Sequence, residues 1–275
     1  MEFIKEVVDK KLILKQDIGI NPFLIENNFD KIEKITNFFS DKTPILLVNG
    51  FMGTGKVLVV NQALSFLCPE VIVLKYNCFE TTTLDDILLQ FFDNFKKLTT
   101  QGIIQSPKAR TENFTQKINA YFDSIEKPIV IVLDSFEQIT KENKQEIIDF
   151  IDHLAKSEKI KQILIERKFD YNDFSENIER VAISALTKPI FEKYLKSEDF
   201  KQIGPLSDEL YKYSRGYYFY TTLSIKIMQI RKLNLMEFLS GYTKSFLSFN
   251  DFILREALSL VDPVSGHLVR FLTIM

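Results

Sequence analysis

Residues Gly50-Phe51-Met52-Gly53-Thr54-Gly55-Lys56 carry the spacing G-x-x-x-x-G-K. The chemistry that fits this spacing is the cradling of a polyphosphate. Glycines let the backbone fold tightly with its N–H groups turned inward, and the lysine brings a cation to the outer phosphates. Val57 and Leu58 follow in what reads as the first turn of a helix, whose unpaired amides and positive dipole end favour an anion. Gly50 through Leu58 are therefore candidate nucleotide-contacting residues. One position departs from the pattern. The residue after the lysine ordinarily supplies a hydroxyl to Mg²⁺, and Val57 has no side-chain oxygen. Thr54 lies inside the loop, where its hydroxyl is not placed to substitute. Loss of one metal ligand leaves binding intact in principle and is expected to slow hydrolysis.

A second constellation lies downstream. Ile129-Val130-Ile131-Val132-Leu133 is an apolar run that ends on Asp134. In open α/β sheets ligands sit at the carboxyl ends of the strands. A carboxylate at that place holds Mg²⁺ directly or through water, so Asp134 is the candidate metal residue. Glu137 is a candidate to polarise an attacking water. Plainer readings stand beside these: a turn or cap residue for Asp134, a solvated surface acid for Glu137. The position directly after the aspartate, where a catalytic acid commonly stands, holds Ser135.

These residues need elements to hold them. Ile45–Val48 and Val71–Leu74 are apolar runs of strand length, as are Ile129–Leu133 and Gln162–Glu166, and Val181–Ile183 reads as a short fifth strand. Such runs suit parallel strands covered on both faces. Between them, Val57–Phe66, Leu84–Leu98, Thr111–Ile125 and Asn143–Lys156 show helical spacing, with Leu58, Ala63, Leu64 and Leu67 expected to face a core. Residues 99–110 read as a polar loop. Alternation of strand and helix predicts an α/β fold, a P-loop NTPase with a mostly parallel five-stranded sheet. Earlier in the chain, residues 1–20 read as a short helix and turn, Asn21-Pro22-Phe23 as a break, and Asp30–Phe39 as an amphipathic helix. From Thr187 onward only helices are expected, over Phe191–Leu195, Leu206–Ser214, Tyr220–Lys232 and Leu235–Phe246. The resulting division is a lead-in at 1–40, a nucleotide-binding core at 41–186, and a helical lid at 187–275 that includes the start of a further domain if the chain is a fragment. The apolar pattern at 268–275 suggests such a fragment or a last helix docked on the core.

Composition narrows the classes. With 275 residues, 45% hydrophobic, the chain has enough material for a sizeable core. It holds 25 Phe, 10 Tyr and no Trp, and the Phe residues are expected mostly inside. Net charge is −2, with lysines scattered rather than striped, so nucleic-acid binding by this segment is not favoured. Cys68 and Cys78 lack metal-ligand spacing and read as free thiols in a reducing cytoplasm. No apolar run reaches membrane-spanning length, and the N-terminus lacks the apolar core of a signal peptide. A cytoplasmic protein without a membrane partner is expected.

Taken in order, the motifs resemble the STAND branch of the AAA+-related P-loop ATPases, which includes NB-ARC, NACHT and archaeal-type ATPases. Gly50–Lys56 resembles Walker A and Ile129–Asp134 resembles Walker B. Gln162–Arg167 resembles the sensor 1 strand, Ala185-Leu186-Thr187 with Phe191–Leu195 the entry to the lid, and Ser214–Tyr218 the lid segment that usually reads Gly-x-Pro. The resemblance implies that Pro22 and Phe23 pack near the adenine and that Arg167 senses the γ-phosphate; a surface arginine at a strand end is the plainer reading. It also implies a nucleotide switch in which ADP keeps a closed state and ATP permits assembly, with a protein partner or self-assembly. A winged helix and then repeats or a sensor would follow the ATPase segment. Val57, Ser135 and the missing lid proline, with Tyr218 near its place, all argue for weak turnover. The expectation is therefore a module that binds ATP or ADP with Mg²⁺ and hydrolyses slowly. The alternative is a non-hydrolysing nucleotide-binding scaffold.

Overall fold

The computed structural model describes residues 22–67, 71–107, 114–167, 174, 177–198, 205–245 and 247–260. Two short helices open this part, α1 (Pro22–Asn27) and α2 (Phe29–Asn37), the latter continued by a 3-10 turn over Phe38–Ser40. Pro22 begins a helix here, because the first helical N–H has no intrahelical partner to lose. Ile32, Ile35 and Phe38 form the buried stripe of α2 and its turn.

The sheet contains β1 (Ile45–Asn49), β2 (Ile72–Asn77), β3 (Ile129–Asp134), β4 (Ile160–Glu166) and β5 (Ile178–Ala182). Its order is β2-β3-β4-β1-β5, and every neighbouring pair is parallel. Parallel neighbours need crossovers, and helices supply them. These are α3 (Lys56–Leu67) after β1, α4 (Leu84–Thr100) and α5 (Phe114–Ser124) after β2, and α6 (Lys141–Leu154) after β3. Ile45 through Val48 have no exposed surface, as expected for a strand covered on both faces. One face buries Leu47, Leu74, Ile131 and Leu164 against Phe91 and Phe95 of α4, Phe122 of α5 and Ile147 of α6. Phe95 stacks on Tyr121 at 4.9 Å. Each such side chain contributes about 1.5–3 kcal/mol by leaving water, more than any single cap, including the Thr83–Asp86 capping box that starts α4.

The register fixes where the strands end. Asn49 lies opposite Glu166, Asp134 opposite Ile165, and Asn77 opposite Asp134. The polar residues that close the apolar runs thus share one edge of the sheet.

The described chain forms two compact units, one within 30–50 and 60–182, the other within 22–29, 51–59 and 183–260. The second holds α7 (Lys188–Ser197), α8 (Pro205–Ser214), α9 (Tyr218–Arg231), α10 (Leu235–Thr243) and α11 (Phe249–Leu258). Ile225 and Met228 of α9, Phe238 and Leu239 of α10, and Phe252 and Ile253 of α11 are buried within it. The last of these helices was not expected from the sequence, although Ser248 caps it by accepting the Asp251 N–H. One expectation fails in α3. Leu58 is 42% exposed, while Val59, Val60, Ala63 and Leu64 are buried. The buried stripe is phased one residue later than expected, which leaves the first turn after the loop outside the core.

Among the described residues no helix is long and apolar enough to cross a membrane. The expectations for residues 1–21, 108–113, 246 and 268–275 and for Cys68 fall outside the described residues.

Candidate functional site

β1 delivers the chain to Gly50 at the sheet edge, and α3 begins at Lys56. Between them the backbone passes through Gly53 at φ +87° and Gly55 at φ +90°, a region that side chains beyond glycine rarely enter. Three donors converge on the Phe51 carbonyl: the Thr54 N–H at 3.3 Å, the Thr54 hydroxyl at 2.9 Å and the Lys56 ammonium at 3.3 Å. The Thr54 side chain is thus turned into the loop and buried. Lys56 donates to a neutral carbonyl. A charged oxygen is a stronger acceptor than this carbonyl, since charge roughly doubles a hydrogen bond.

The loop is gripped from its own unit. The Phe219 N–H, in the first turn of α9, donates to the Gly53 carbonyl at 2.9 Å. A Cβ at Gly53 would stand 3.3 Å from the Phe219 Cβ, and one at Gly55 would stand 3.0 Å from a Leu24 methyl. Phe51 stacks on Tyr217 with ring centroids 6.0 Å apart. Phe51, Met52, Val57 and Leu58 are nonetheless exposed.

Pro22 is exposed and Phe23 half-buried at the start of α1. Phe23 stacks on Tyr194 at 5.4 Å, and Tyr194 on Tyr218 at 6.3 Å. The Asn27 side chain donates to the Ala185 carbonyl at 3.1 Å and accepts from the Thr187 N–H at 2.7 Å, which ties α1 to the segment entering α7. Leu186 pairs with Gly216 at 2.8 Å. A Cβ at Gly216 would come within 2.6 Å of the Leu186 carbonyl oxygen, and its φ is +65°. Only glycine fits there. Arg215 before it is exposed and also left-handed, at φ +53°.

At the sheet edge, Asp134 ends β3 half-buried, and its backbone carbonyl accepts the Cys78 N–H at 2.8 Å. Ser135 is left-handed at φ 58°, ψ 36°, and a 3-10 turn follows over Phe136–Gln138. A serine there costs about 1–2 kcal/mol, strain of the kind that gathers at functional sites. Phe136 anchors the turn: it is fully buried, with the Lys144 ammonium 4.9 Å from its ring centroid. The turn brings Glu137 Oε1 to 3.1 Å from Arg167 Nε. The structure therefore joins Glu137 and Arg167, which the sequence placed in separate roles. Gly50, Asp134, Glu137 and Arg167 belong to the first unit; Phe51 to Leu58, Pro22 and Phe23 belong to the second.

Two polar strand ends carry a signal that the sequence reading passed over. Asn49 precedes Gly50, and its Oδ1 is buried without a hydrogen bond among the described residues. Glu166, opposite it in β4, has no exposed surface. Both close apolar runs as Asp134 does. Nearby, burial pushes the Cys78 thiol up to about 12, with Asp134 and Glu137 adding to the rise. That thiol is a protonated core group rather than a nucleophile. Among the described residues no three His, Cys, Asp or Glu side chains cluster to hold a metal ion. A lone carboxylate such as that of Asp134 suits a hard divalent cation that keeps most of its ligands from water and phosphate.

The β2-β3-β4-β1-β5 order, with a glycine loop between β1 and α3, is the α/β fold of the P-loop ATPases. Within that class, residues 40–168 match the AAA domain family. A Walker-type ATPase of Pyrococcus abyssi matches with a TM-score of 0.58 at 10% identity, over 88% of this chain and 74% of that one. A STAND protein with a tetratricopeptide repeat sensor from Pyrococcus horikoshii matches with 0.53 at 13% identity, over 88% of this chain and 34% of that one. The ORC1 protein of Aeropyrum pernix, solved in complex with DNA, matches with 0.56 at 12% identity, over 80% of this chain and 65% of that one. At these identities the likeness is one of fold. No curated protein matches the chain in sequence.

Proposed function

We propose that this chain binds ATP or ADP with Mg²⁺ at Gly50–Lys56 and acts as a nucleotide-dependent switch with slow hydrolysis. The observation that carries this reading is the loop itself: it runs from the end of a central parallel strand to a helix that begins at Lys56, and it bends at two left-handed glycines. Backbone amides of the loop and the start of α3 hold the phosphates, and Lys56 neutralises the outer ones. Asp134 would hold Mg²⁺, directly or through water, and the metal would neutralise phosphate charge. In hydrolysis a water oxygen attacks the γ-phosphorus, the bond to the β-phosphate oxygen breaks, and Glu137 accepts the water proton, giving ADP and phosphate. Val57 and Ser135 withhold a metal ligand and the usual acid, which supports slow turnover. Contacts of the loop with Tyr217 and Phe219 support a switch, because occupancy of the loop bears directly on the start of α9.

Val57 also favours a second reading, a scaffold that uses nucleotide as a structural ligand without hydrolysis. The cytoplasmic location, the protein partner and the boundaries at 40 and 186 belong to this proposal as well. The fold gives no ground for setting nucleic acid aside, since the ORC1 protein with this fold was solved on DNA; net charge of −2 carries that expectation alone. Thermal shift with ATP, ADP and GTP, each with and without Mg²⁺, followed by phosphate release, tests the reading. Stabilisation with slow release supports the switch, and stabilisation without release supports the scaffold. No shift with any nucleotide, in protein free of carried-over ligand, overturns both.

A further inference from the structure

Thr54 sits between the two left-handed glycines of the loop, Gly53 at φ +87° and Gly55 at φ +90°. Phe51 and Met52 are 68% and 44% exposed, whereas Thr54 is 1% exposed. A hydroxyl buried to that degree is costly without a partner. Its partner is the Phe51 carbonyl, 2.9 Å away. The Thr54 N–H and the Lys56 ammonium reach the same oxygen, each at 3.3 Å. A carbonyl offers two lone pairs, so three donors crowd it and the shortest contact sets its direction. The peptide between Phe51 and Met52 is planar and swings as one body, so the hydroxyl that fixes this oxygen fixes the whole peptide. Within the same unit the Phe51 ring stacks on Tyr217 at 6.0 Å, which holds the residue from its other end. The consequence falls on Lys56, whose ammonium meets an acceptor already fixed in place inside the loop.

We propose that Thr54 is a positioning residue for Lys56: its buried hydroxyl locks the Phe51 carbonyl, and that carbonyl holds the lysine head ready for the outer phosphates. This rests on the nucleotide reading above and gives the Thr54 side chain a role through Lys56 instead of a contact with nucleotide. A long lysine side chain loses rotamer freedom when it settles on a ligand. A head anchored beforehand has less freedom left to lose, which raises affinity by preorganisation. Exchanging the hydroxyl for a methyl keeps the β-branched shape and releases the peptide, and with it the anchor. The bond lost is a neutral one, so ADP affinity falls about 2- to 10-fold. Serine retains the hydroxyl and retains the function.

The test compares the wild type with Thr54→Val and Thr54→Ser by two readouts. One is calorimetric affinity for ADP with Mg²⁺. The other is the rate at which trace acetic anhydride acylates Lys56 in ligand-free protein, read by peptide mass against Lys97, an exposed lysine of α4. Thr54→Val is expected to lower ADP affinity and to speed Lys56 acylation relative to Lys97, each about 2- to 10-fold. Thr54→Ser is expected to match the wild type in both. Thr54→Ala also lacks the hydroxyl and replaces the valine variant if that protein does not fold. Unchanged ADP affinity in the variant without the hydroxyl overturns the proposal. So does a loss of affinity with Lys56 acylation unchanged, which would be a change of loop shape that bypasses the lysine. A serine variant as weak as the valine one shows a role of volume and overturns it too. If the wild type binds no ADP, the nucleotide reading fails; equal acylation rates in the wild type and Thr54→Val then overturn the positioning of Lys56 as well, and faster acylation in the variant upholds it.

Discussion

Replacement of Val57 by threonine gives the most direct handle on the missing metal ligand. Val57 is 37% exposed in the first turn of α3. Exchanging one of its methyl groups for a hydroxyl keeps the β-branched shape and leaves the core untouched. The stability change is expected within about 0.5 kcal/mol, as for other surface substitutions. Val59 supplies the contrast, because it is 1% exposed. The same exchange there buries a hydroxyl at a cost of about 1–3 kcal/mol, a drop of several degrees in Tm at roughly 2–4 °C per kcal/mol. At Val57 the gain comes from an oxygen beside Mg²⁺. An interaction with a charged group contributes about 1.5–3 kcal/mol at most, and solvent at this half-open turn reduces it. We expect ATP affinity to rise about 3- to 10-fold with Mg²⁺ and to stay level in excess chelator, read by calorimetry. An equal rise without metal, or none with it, refutes the assignment of Val57 to the metal-ligand position.

Three further outcomes are expected. Gly53→Ala forces a left-handed alanine against Phe219 and should lower both stability and ADP affinity, whereas Gly102→Ala, at φ +70° with nothing within 4 Å, should carry only the backbone strain of about 1–2 kcal/mol and leave affinity alone; equal affinity losses would refute the grip of α9 on the loop. Because Cys78 is raised to about 12, it keeps its proton in the fold at pH values where the unfolded chain loses it. Stability should therefore fall as pH climbs above the ordinary thiol value of 9.0. In a Cys68→Ser background, Cys78→Ala should flatten that decline, and an unchanged slope contradicts the assignment. Binding of duplex DNA, read by mobility shift across a salt series, is expected to be absent or weak at net charge −2; a tight, steeply salt-dependent shift reverses that expectation.

The α/β fold and the order of its elements were legible because parallel strands covered on both faces are written as unbroken apolar runs. Ile45–Val48 and Ile129–Leu133 carry that signature, and no polar residue interrupts it. The Gly50–Lys56 spacing was legible for a related reason, since its backbone shape demands glycine. What was not legible depends on the partner face. Leu58 reads as core from its type, and only the packing phase of α3 shows that it is not. Phe249–Leu258 was missed although Ser248 and Asp251 mark its start. The Glu137–Arg167 pair joins residues 30 positions apart through strand order and a left-handed serine, neither of which a local pattern encodes. Asn49 and Glu166 show the same limit: a polar residue closing an apolar strand gains meaning only when the register sets the two strand ends side by side.

The measurement that bears most directly on the central claim is ADP and ATP binding to the wild type and to Lys56→Ala, followed by calorimetry on ligand-stripped protein. The Lys56 ammonium donates to the Phe51 carbonyl at 3.3 Å, and the Tm of the variant, measured alongside, separates lost binding from lost folding. The wild type should bind both nucleotides, and the variant should bind neither measurably. Equal affinity in the two proteins would contradict the placement of phosphate in the Gly50–Lys56 loop.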